Sequence, residues 1–136
     1  MINAAVAEER RESLNAVTSG ILQAAFEVHS ALGPGLLESA YEACLTHALR
    51  KRGFRVETQV ALPVIFDGVQ LELGYRIDLL VDDEVLVELK AIETVLPVHR
   101  AQLLSYLRLT GKRVGLLLNF HVERLKDGVV RIVNHF

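Results

Sequence analysis

The sequence predicts a single α/β (α+β) domain spanning residues 1–136, with two helices, five strands, a third helix and one to three further strands. Apolar residues recur at steps of three and four in the first third of the chain, which is typical of amphipathic helices. After Gly53 they alternate or form short runs between Gly and Asp-Gly breaks, which indicates strands. With 51% apolar residues and 136 positions, the chain can form a hydrophobic core.

Two helices are predicted first. The first covers about residues 9–32 and ends at Gly33-Pro34-Gly35, and the second covers about residues 36–51 and ends at Gly53. The apolar positions of the first are Leu14, Val17, Ile21, Ala25, Val28 and Leu32, and those of the second, expected to point inward, are Leu37, Tyr41, Cys44, Leu45 and Ala48.

The middle of the chain reads as strands. Residues 54–61 alternate in part, and residues 64–66 and 69–73 flank Asp67-Gly68, a strong signal for a tight hairpin. Residues 75–81 and 85–90 flank the polar stretch Asp82-Asp83-Glu84, which indicates a second hairpin.

A third helix and the last strands complete the prediction. The helix begins at Pro97 and ends near Thr110, with Gly111 after it. Residues 114–118 are nearly all apolar and predict a buried central strand, so the helix forms a crossover to a parallel strand. Asp127-Gly128 predicts a final hairpin.

Bulk composition narrows the class of protein. The apolar runs are far shorter than the roughly 20 residues of a membrane span, and residues 1–11 lack an apolar signal sequence. The single cysteine, Cys44, excludes an internal disulfide and is expected to be an inert core residue. We therefore expect a cytoplasmic protein. The net charge of −2 means that any nucleic-acid contact must come from local basic patches, such as Arg50-Lys51-Arg52 or Lys112-Arg113, which can equally be ordinary solvated surface.

The second predicted hairpin carries the strongest chemical signal. With Asp82 to Glu84 as the loop, Val81 pairs with Val85, and Asp78 lies opposite Glu88. Lys90 then shares a face with Glu88, while Ile77, Leu79, Val81, Val85, Val87 and Leu89 are expected to fill the other face.

Two opposed carboxylates repel each other, so something must offset their charge. A divalent cation such as Mg²⁺ or Mn²⁺ suits such oxygen ligands. The alternative is a structural hairpin in which Lys90 neutralises the two acids.

Further candidates lie on the helices. Glu38, in the first turn of the second helix, is expected to point inward as a third metal-site carboxylate, or merely to interact with the positive helix end. Gln102 and Tyr106 are one turn apart and share a face, where they either line the site beside Lys90 or form an amphipathic border.

The segment Gly35-Leu36-Leu37-Glu38-Ser39-Ala40-Tyr41 reads G-x-x-E-x-x-Y. Together with residues 75–78, Glu88-Leu89-Lys90, residues 102–106 and residues 115–120, it resembles the bacterial GxxExxY protein family, which is grouped with the PD-(D/E)XK nuclease superfamily. The resemblance covers about residues 21–120. Ile77 stands where the superfamily motif has proline.

The resemblance implies a restriction-endonuclease-like core, with a central mixed β-sheet flanked by α-helices. It implies a Mg²⁺-dependent site with Asp78 and Glu88 as ligands, Lys90 beside the attacking water and Glu38 as the helix-borne acid. Gln102 and Tyr106 match the Q-x-x-x-Y helix motif of the RecB-like branch.

The expected function is therefore hydrolysis of nucleic-acid phosphodiester bonds, with DNA as the first candidate. A catalytically silent nuclease-like domain that binds nucleic acid or protein remains the alternative, as does a purely structural domain. The first helix could also supply a homodimer face.

Overall fold

The computed structural model describes residues 3–135, which form three α-helices, seven strands and one short 3-10 helix. In chain order these are α1 (Ala4–Leu32), α2 (Glu38–Lys51), β1 (Val56–Ala61), β2 (Val64–Phe66), β3 (Val69–Leu71), β4 (Arg76–Val81), β5 (Val85–Lys90), α3 (Pro97–Thr110), β6 (Val114–Asn119), the 3-10 helix (Leu125–Gly128) and β7 (Val129–Val133).

Helix α1 begins five residues before the predicted start. The side chain of Asn3 accepts a hydrogen bond of 2.9 Å from the amide of Val6, and this N-cap satisfies one of the free amides of the first turn. The helix ends at Gly33, whose φ of +66° is a conformation that glycine adopts without steric cost. The predicted stop was therefore correct and the predicted start was wrong.

Five strands form a mixed sheet in the order β1-β4-β5-β6-β7. The β4–β5 hairpin has the predicted register, with Val81 opposite Val85 and Leu79 opposite Val87. Strands β5 and β6 are parallel and are joined through α3, as the crossover required. The other neighbours in this sheet are antiparallel. The expected mixed sheet flanked by helices is confirmed.

Of the two Asp-Gly sequences, only one makes a hairpin. Strands β2 and β3 pair across Asp67-Gly68 as a separate two-stranded sheet. Asp127-Gly128 instead lies in the 3-10 helix that leads into β7, so the final predicted hairpin was wrong. There β7 pairs with β6 over the longer connection, and tertiary pairing overrides the local turn signal.

The sheet has an apolar cluster on each face. On one face, α1 and α2 pack on β-strand residues that include Leu79, Val87 and Leu116. On the other face, α3 packs on residues that include Leu86 and Leu117. Ile77 belongs to the α3-side cluster and not, as expected, to the face of Leu79, because regular β4–β5 pairing ends at Leu79 and strict alternation ends with it.

Two residues of the predicted second helix, Leu37 and Cys44, do not point inward as expected. Leu37 is 78% exposed because it precedes the helix as its N-cap, and so does not share the helical face. Cys44 is exposed, nearly a quarter turn away from the side that buries Tyr41, Leu45 and Ala48. The expectation of a core cysteine was therefore wrong.

Within the part of the chain that the structure describes, no helix combines the length and the apolar character needed to cross a lipid bilayer.

Tyr41 connects the α1–α2 turn to the core. Its ring is fully buried and stacks on Phe120, with ring centroids 4.5 Å apart and an angle of 13° between the planes. Its hydroxyl donates to the carbonyl of Gly33 and accepts from the amide of Leu36 at 3.1 Å. The tyrosine of the G-x-x-E-x-x-Y segment therefore holds the turn that precedes it.

We expect Tyr41→Phe to lower the free energy of unfolding by about 1–3 kcal/mol, because the variant keeps the stacked ring but leaves two backbone groups of the turn without their partner. Urea unfolding checks this value. The matched control is Tyr75→Phe, since Tyr75 is 43% exposed and its hydroxyl makes no hydrogen bond within residues 3–135. Equal stability of Tyr41→Phe and wild type would contradict this role.

Candidate metal and nucleic-acid site

The site is built at the end of the β4–β5 ladder, where side chains replace backbone pairing. The amide of Asp78 donates a 3.2 Å hydrogen bond to Oε1 of Glu88, and the amide of Leu89 donates a 2.8 Å bond to Oδ2 of Asp78. Each carboxylate is thus fixed by the backbone of the opposite strand. The ordered pairs of the hairpin end at Leu79–Val87, one residue short of both acids, and these two bonds from backbone amides hold the acids together beyond that point.

Glu88 is the buried member of the pair, with 6% of its surface exposed. Burial and then the negative charge of Asp78 raise the pKa of Glu88 from 4.5 to about 8, and nearby Lys90 offsets this only in part. A carboxylate with such a pKa strongly favours an added positive charge beside it. A proton supplies that charge in the free protein, and a divalent cation can replace the proton.

Lys90 is half-buried at the end of β5 and lies on the same face as Glu88. Within residues 3–135, the structure records no ion pair of 4.0 Å or less between its ammonium group and either carboxylate. The ammonium nevertheless lies near enough to lower the pKa of Glu88. This geometry does not favour the alternative in which Lys90 neutralises the acids through a direct salt bridge.

Helix α3 brings Gln102 and Tyr106 to the same face of the sheet. Nε2 of Gln102 donates to the hydroxyl of Tyr106 at 3.1 Å. The pKa of Tyr106 is raised by burial first, and then by the charges of Glu88, Tyr75 and Asp78. The hydroxyl of Tyr106 therefore lies close enough to the carboxylates for their charge to affect its pKa. Helix α3 thus places two polar side chains, Gln102 and Tyr106, beside the acids.

Glu38 is not brought into this cluster. It lies on the side of α2 that also carries Tyr41, but at the first residue of the helix it is exposed instead of pointing into the fold as expected. Within residues 3–135 its side chain makes no hydrogen bond or ion pair with Asp78 or Glu88.

The α2 carboxylate that does connect to the site is Glu42, one helical turn after Glu38. Nε2 of Gln59 on β1 donates to Oε1 of Glu42 at 2.6 Å and to Oδ1 of Asp78 at 3.2 Å. Gln59 therefore bridges α2 and β4. The turn spacing from Glu38 is the signal that could have identified Glu42.

Gln59 has a φ of +51°, which is uncommon for a residue other than glycine. It occupies the gap in the β1–β4 register between the pairs Thr58–Leu79 and Val60–Ile77, directly across from Asp78. Such conformations persist where surrounding contacts determine them and are frequent at functional sites. No sequence signal distinguishes this glutamine from other strand residues.

Asp78 and Glu88 fit a partial set of metal ligands. Residues 3–135 contain no group of three or more His, Cys, Asp or Glu side chains placed to hold a metal ion. Mg²⁺, however, is commonly bound through one or two carboxylates, with water and substrate phosphates as its other ligands. The two acids are therefore suited to a cation whose coordination the substrate completes.

The match to a family model agrees with this geometry. The model described as the PD-(D/E)XK nuclease superfamily matches residues 15–132, which include α2, α3, most of α1 and all of the five-stranded sheet except the last residue of β7. No curated protein and no solved structure matches the chain significantly. The narrower GxxExxY assignment stays a prediction. The matched range and the restriction-endonuclease-like sheet show that the chain belongs to the PD-(D/E)XK nuclease superfamily.

Proposed function

We propose that this protein is a metal-dependent nuclease that hydrolyses phosphodiester bonds of nucleic acid, with DNA as its substrate and Mg²⁺ or Mn²⁺ as its cofactor. The observation that carries the proposal is the pair Asp78 and Glu88, in which a buried carboxyl with a pKa of about 8 lies beside a second acid and near Lys90. Family membership supports the nuclease class.

Asp78 and Glu88 are the residues proposed to hold the metal, with the backbone carbonyl of Leu89 as an added ligand. A bound Mg²⁺ or Mn²⁺ supplies Lewis-acid polarisation of a phosphoryl oxygen and lowers the pKa of a water molecule. Gln59 and the amide of Leu89 hold Asp78 in place, and the amide of Asp78 does the same for Glu88. These contacts fix both carboxylates before any ligand arrives.

Lys90 is proposed to orient the attacking water and to stabilise the negative charge that develops on the phosphoryl oxygens. Its ammonium makes no close ion pair within the described residues, so it can turn towards a phosphate without first breaking a salt bridge. Gln102 and Tyr106 are proposed to position Lys90 or a phosphate oxygen from the α3 side.

The α2 helix is proposed to contribute an acid to the outer part of the site. Glu42 acts through Gln59, which it already contacts. Completion of the coordination by Glu38, directly or through water, remains part of the proposal, although Glu38 is exposed.

We expect Mn²⁺ or Mg²⁺ to bind the wild-type protein saturably and to raise its unfolding temperature, because a ligand that binds only the folded state stabilises that state. Asp78→Asn removes one anionic ligand and should abolish both effects. Isothermal calorimetry and thermal unfolding measure them. Asp127→Asn, which changes an exposed carboxylate of the 3-10 helix, is the control. Equal metal binding by Asp78→Asn would disprove the metal site.

Lys90→Ala should lower metal-dependent cleavage of DNA by at least about 100-fold while leaving the fold intact, since the loss concerns charge that develops in the transition state. A gel assay on single- and double-stranded DNA measures the rate, and circular dichroism checks the fold. Lys51→Ala, at the end of α2, is the matched control. Full activity of Lys90→Ala would contradict the assigned role. Metal binding without cleavage by the wild type would favour a silent nucleic-acid-binding domain.

Stability without metal should fall as pH rises. The pKa of Glu88 is raised to about 8, so the folded state keeps a proton that the unfolded state loses near 4.5. The stabilisation is complete below about pH 4.5 and is lost as pH rises through 8, a change of roughly 5 kcal/mol.

Urea unfolding in chelator at pH 5 and pH 9 tests this dependence. Glu88→Gln carries no titrating group and should lack this component of the pH dependence, whereas Glu57→Gln, at an exposed position of β1, should behave as wild type. The same slope in Glu88→Gln and wild type would show that Glu88 titrates normally.

A further inference from the structure

A concave cleft lies away from the carboxylates. Its volume is about 540 Å³, and three segments far apart in the sequence line it: residues 7–15 of α1, residues 111–114 at the start of β6, and residues 131–135 at the end of β7. Glu84, just before β5, completes the wall. None of the residues proposed for the metal site contributes to it.

The cleft concentrates positive charge. Of the 15 lysine and arginine residues in this chain, five line it, and among residues 3–135 Glu84 is the only acidic residue that does. The five cations are Arg10, Arg11, Lys112, Arg113 and Arg131. A concave surface of one charge sign focuses the electrostatic potential, so the cleft attracts anions although the whole chain carries a net charge of −2.

Few of these cations are neutralised within the fold. Arg11 pairs with Glu8 at 2.6 Å and Lys112 pairs with Asp83 at 3.3 Å, and the acid of each pair is more than half exposed, so both pairs are weak. Arg131 donates to the amide oxygen of Asn15, a neutral partner.

No acidic side chain among residues 3–135 pairs with Arg10 or Arg113. At least three of the five cations therefore lack a charged partner in the described part of the chain.

The strand register shows that the cleft and the carboxylate pair lie on different faces of the sheet. Arg131 pairs with Leu116, whose side chain lies in the cluster beneath α1 and α2, so Arg131 points to the α1 side of the sheet. Glu88 pairs with Leu117, which lies on the α3 side.

The cleft also begins beside Val114, which pairs with the first residue of β5, whereas Lys90 is the last residue of that strand. Along β5, Glu88 lies three residues from the cleft end, about 10 Å, and Lys90 lies five residues from it, about 17 Å. The cleft and the carboxylate pair thus lie on opposite faces and at opposite ends of the sheet.

The chemistry of the lining specifies the class of ligand. Between the cations, the wall is apolar and comprises Ala7, Leu14, Val114 and Val133. Four of the five cations are arginines, whose planar guanidinium groups match the oxygens of phosphate in bidentate contacts. A cleft of this volume is in the size range of small-molecule sites. A nucleoside phosphate combines a flat, weakly polar base with a compact anion and satisfies both parts of the lining.

The geometry points to a nucleoside-phosphate site in this cleft, with the base against the apolar wall and the phosphates held by Arg10, Arg113 and Arg131. This site is additional to the proposed nuclease centre and does not depend on it. The ligand is a free nucleotide or the end of a nucleic-acid strand, which share this chemistry.

Calorimetric titration of the wild-type protein with ATP in chelator tests the site without metal-dependent cleavage. We expect saturable binding that weakens at least about tenfold in Arg10→Glu/Arg113→Glu, because two phosphate contacts become repulsive. Lys51→Glu/Arg124→Glu makes the same change in net charge away from the cleft and should bind as wild type. Arg113→Ala is the milder variant if the double variant unfolds, and it should also weaken binding.

The choice of probes separates the ligand classes. Inorganic tripolyphosphate should bind more weakly than ATP because it has no base. A short single-stranded oligonucleotide that outcompetes ATP would identify a strand end as the ligand, and the reverse order would identify a free nucleotide. Either order supports the site.

Four results would overturn the inference: no binding of any nucleotide, binding unchanged by the cleft variants, tripolyphosphate as tight as ATP, or equal competition by a short polyglutamate peptide. Asp78→Asn should bind ATP as wild type does. Loss of the metal site and loss of the nucleotide site are therefore separate experimental outcomes.

Discussion

The repulsion between Asp78 and Glu88 is the constraint on which the arrangement of the site depends. Two carboxylates at opposed strand positions destabilise a sheet unless donors or cations compensate them. Here the backbone amides of Asp78 and Leu89 compensate in part, and regular pairing of β4 with β5 ends where they do so. Burial, and then the remaining repulsion from Asp78, raises the pKa of Glu88 to about 8. The two acids therefore favour an added positive charge beside them. Lys90, Tyr106 and Gln59 all lie around these acids.

Much of the fold could be predicted because the spacing of apolar residues within each short segment determines whether that segment forms a helix or a strand. The β4–β5 register follows from loop length alone, and the parallel β5–β6 pair follows from the α3 crossover. The errors have physical causes that the pattern does not contain. Helix α1 extends past its apolar stripe because Asn3 caps it, and Asp127-Gly128 yields to the pairing of β7 with β6. Cys44 is apolar but lies to one side of the buried face of α2.

In the candidate site, too, contacts that depend on packing between elements could not be predicted from the sequence. Asp78, Glu88 and Lys90 could be grouped from the sequence because one hairpin holds all three. The contacts between Glu42, Gln59 and Asp78 could not, since they depend on how α2 packs over β1 and on a residue with positive φ. The sequence motif pointed to Glu38, whereas the nearest helix-borne acid in the bridge is one turn further on. Motif spacing identifies the helix that faces a site, but only the packing decides which turn of that helix reaches it.

The distribution of charge gives the molecule two chemically distinct ends. A net charge of −2 conceals an acidic centre on the α3 face and a basic cleft on the α1 face. A nucleic-acid strand near Asp78 and Glu88 gains little attraction from those residues themselves, because neither carboxyl group can supply positive charge to a phosphate. Under the proposed function, metal binding and substrate binding are therefore coupled at that centre, each supplying charge that the other needs. The basic cleft carries no such requirement: its charge is already opposite to that of phosphate, so it can bind anions whether or not the carboxylate pair holds a metal. The two ends can thus be occupied independently, and the sheet that separates them fixes the distance between them.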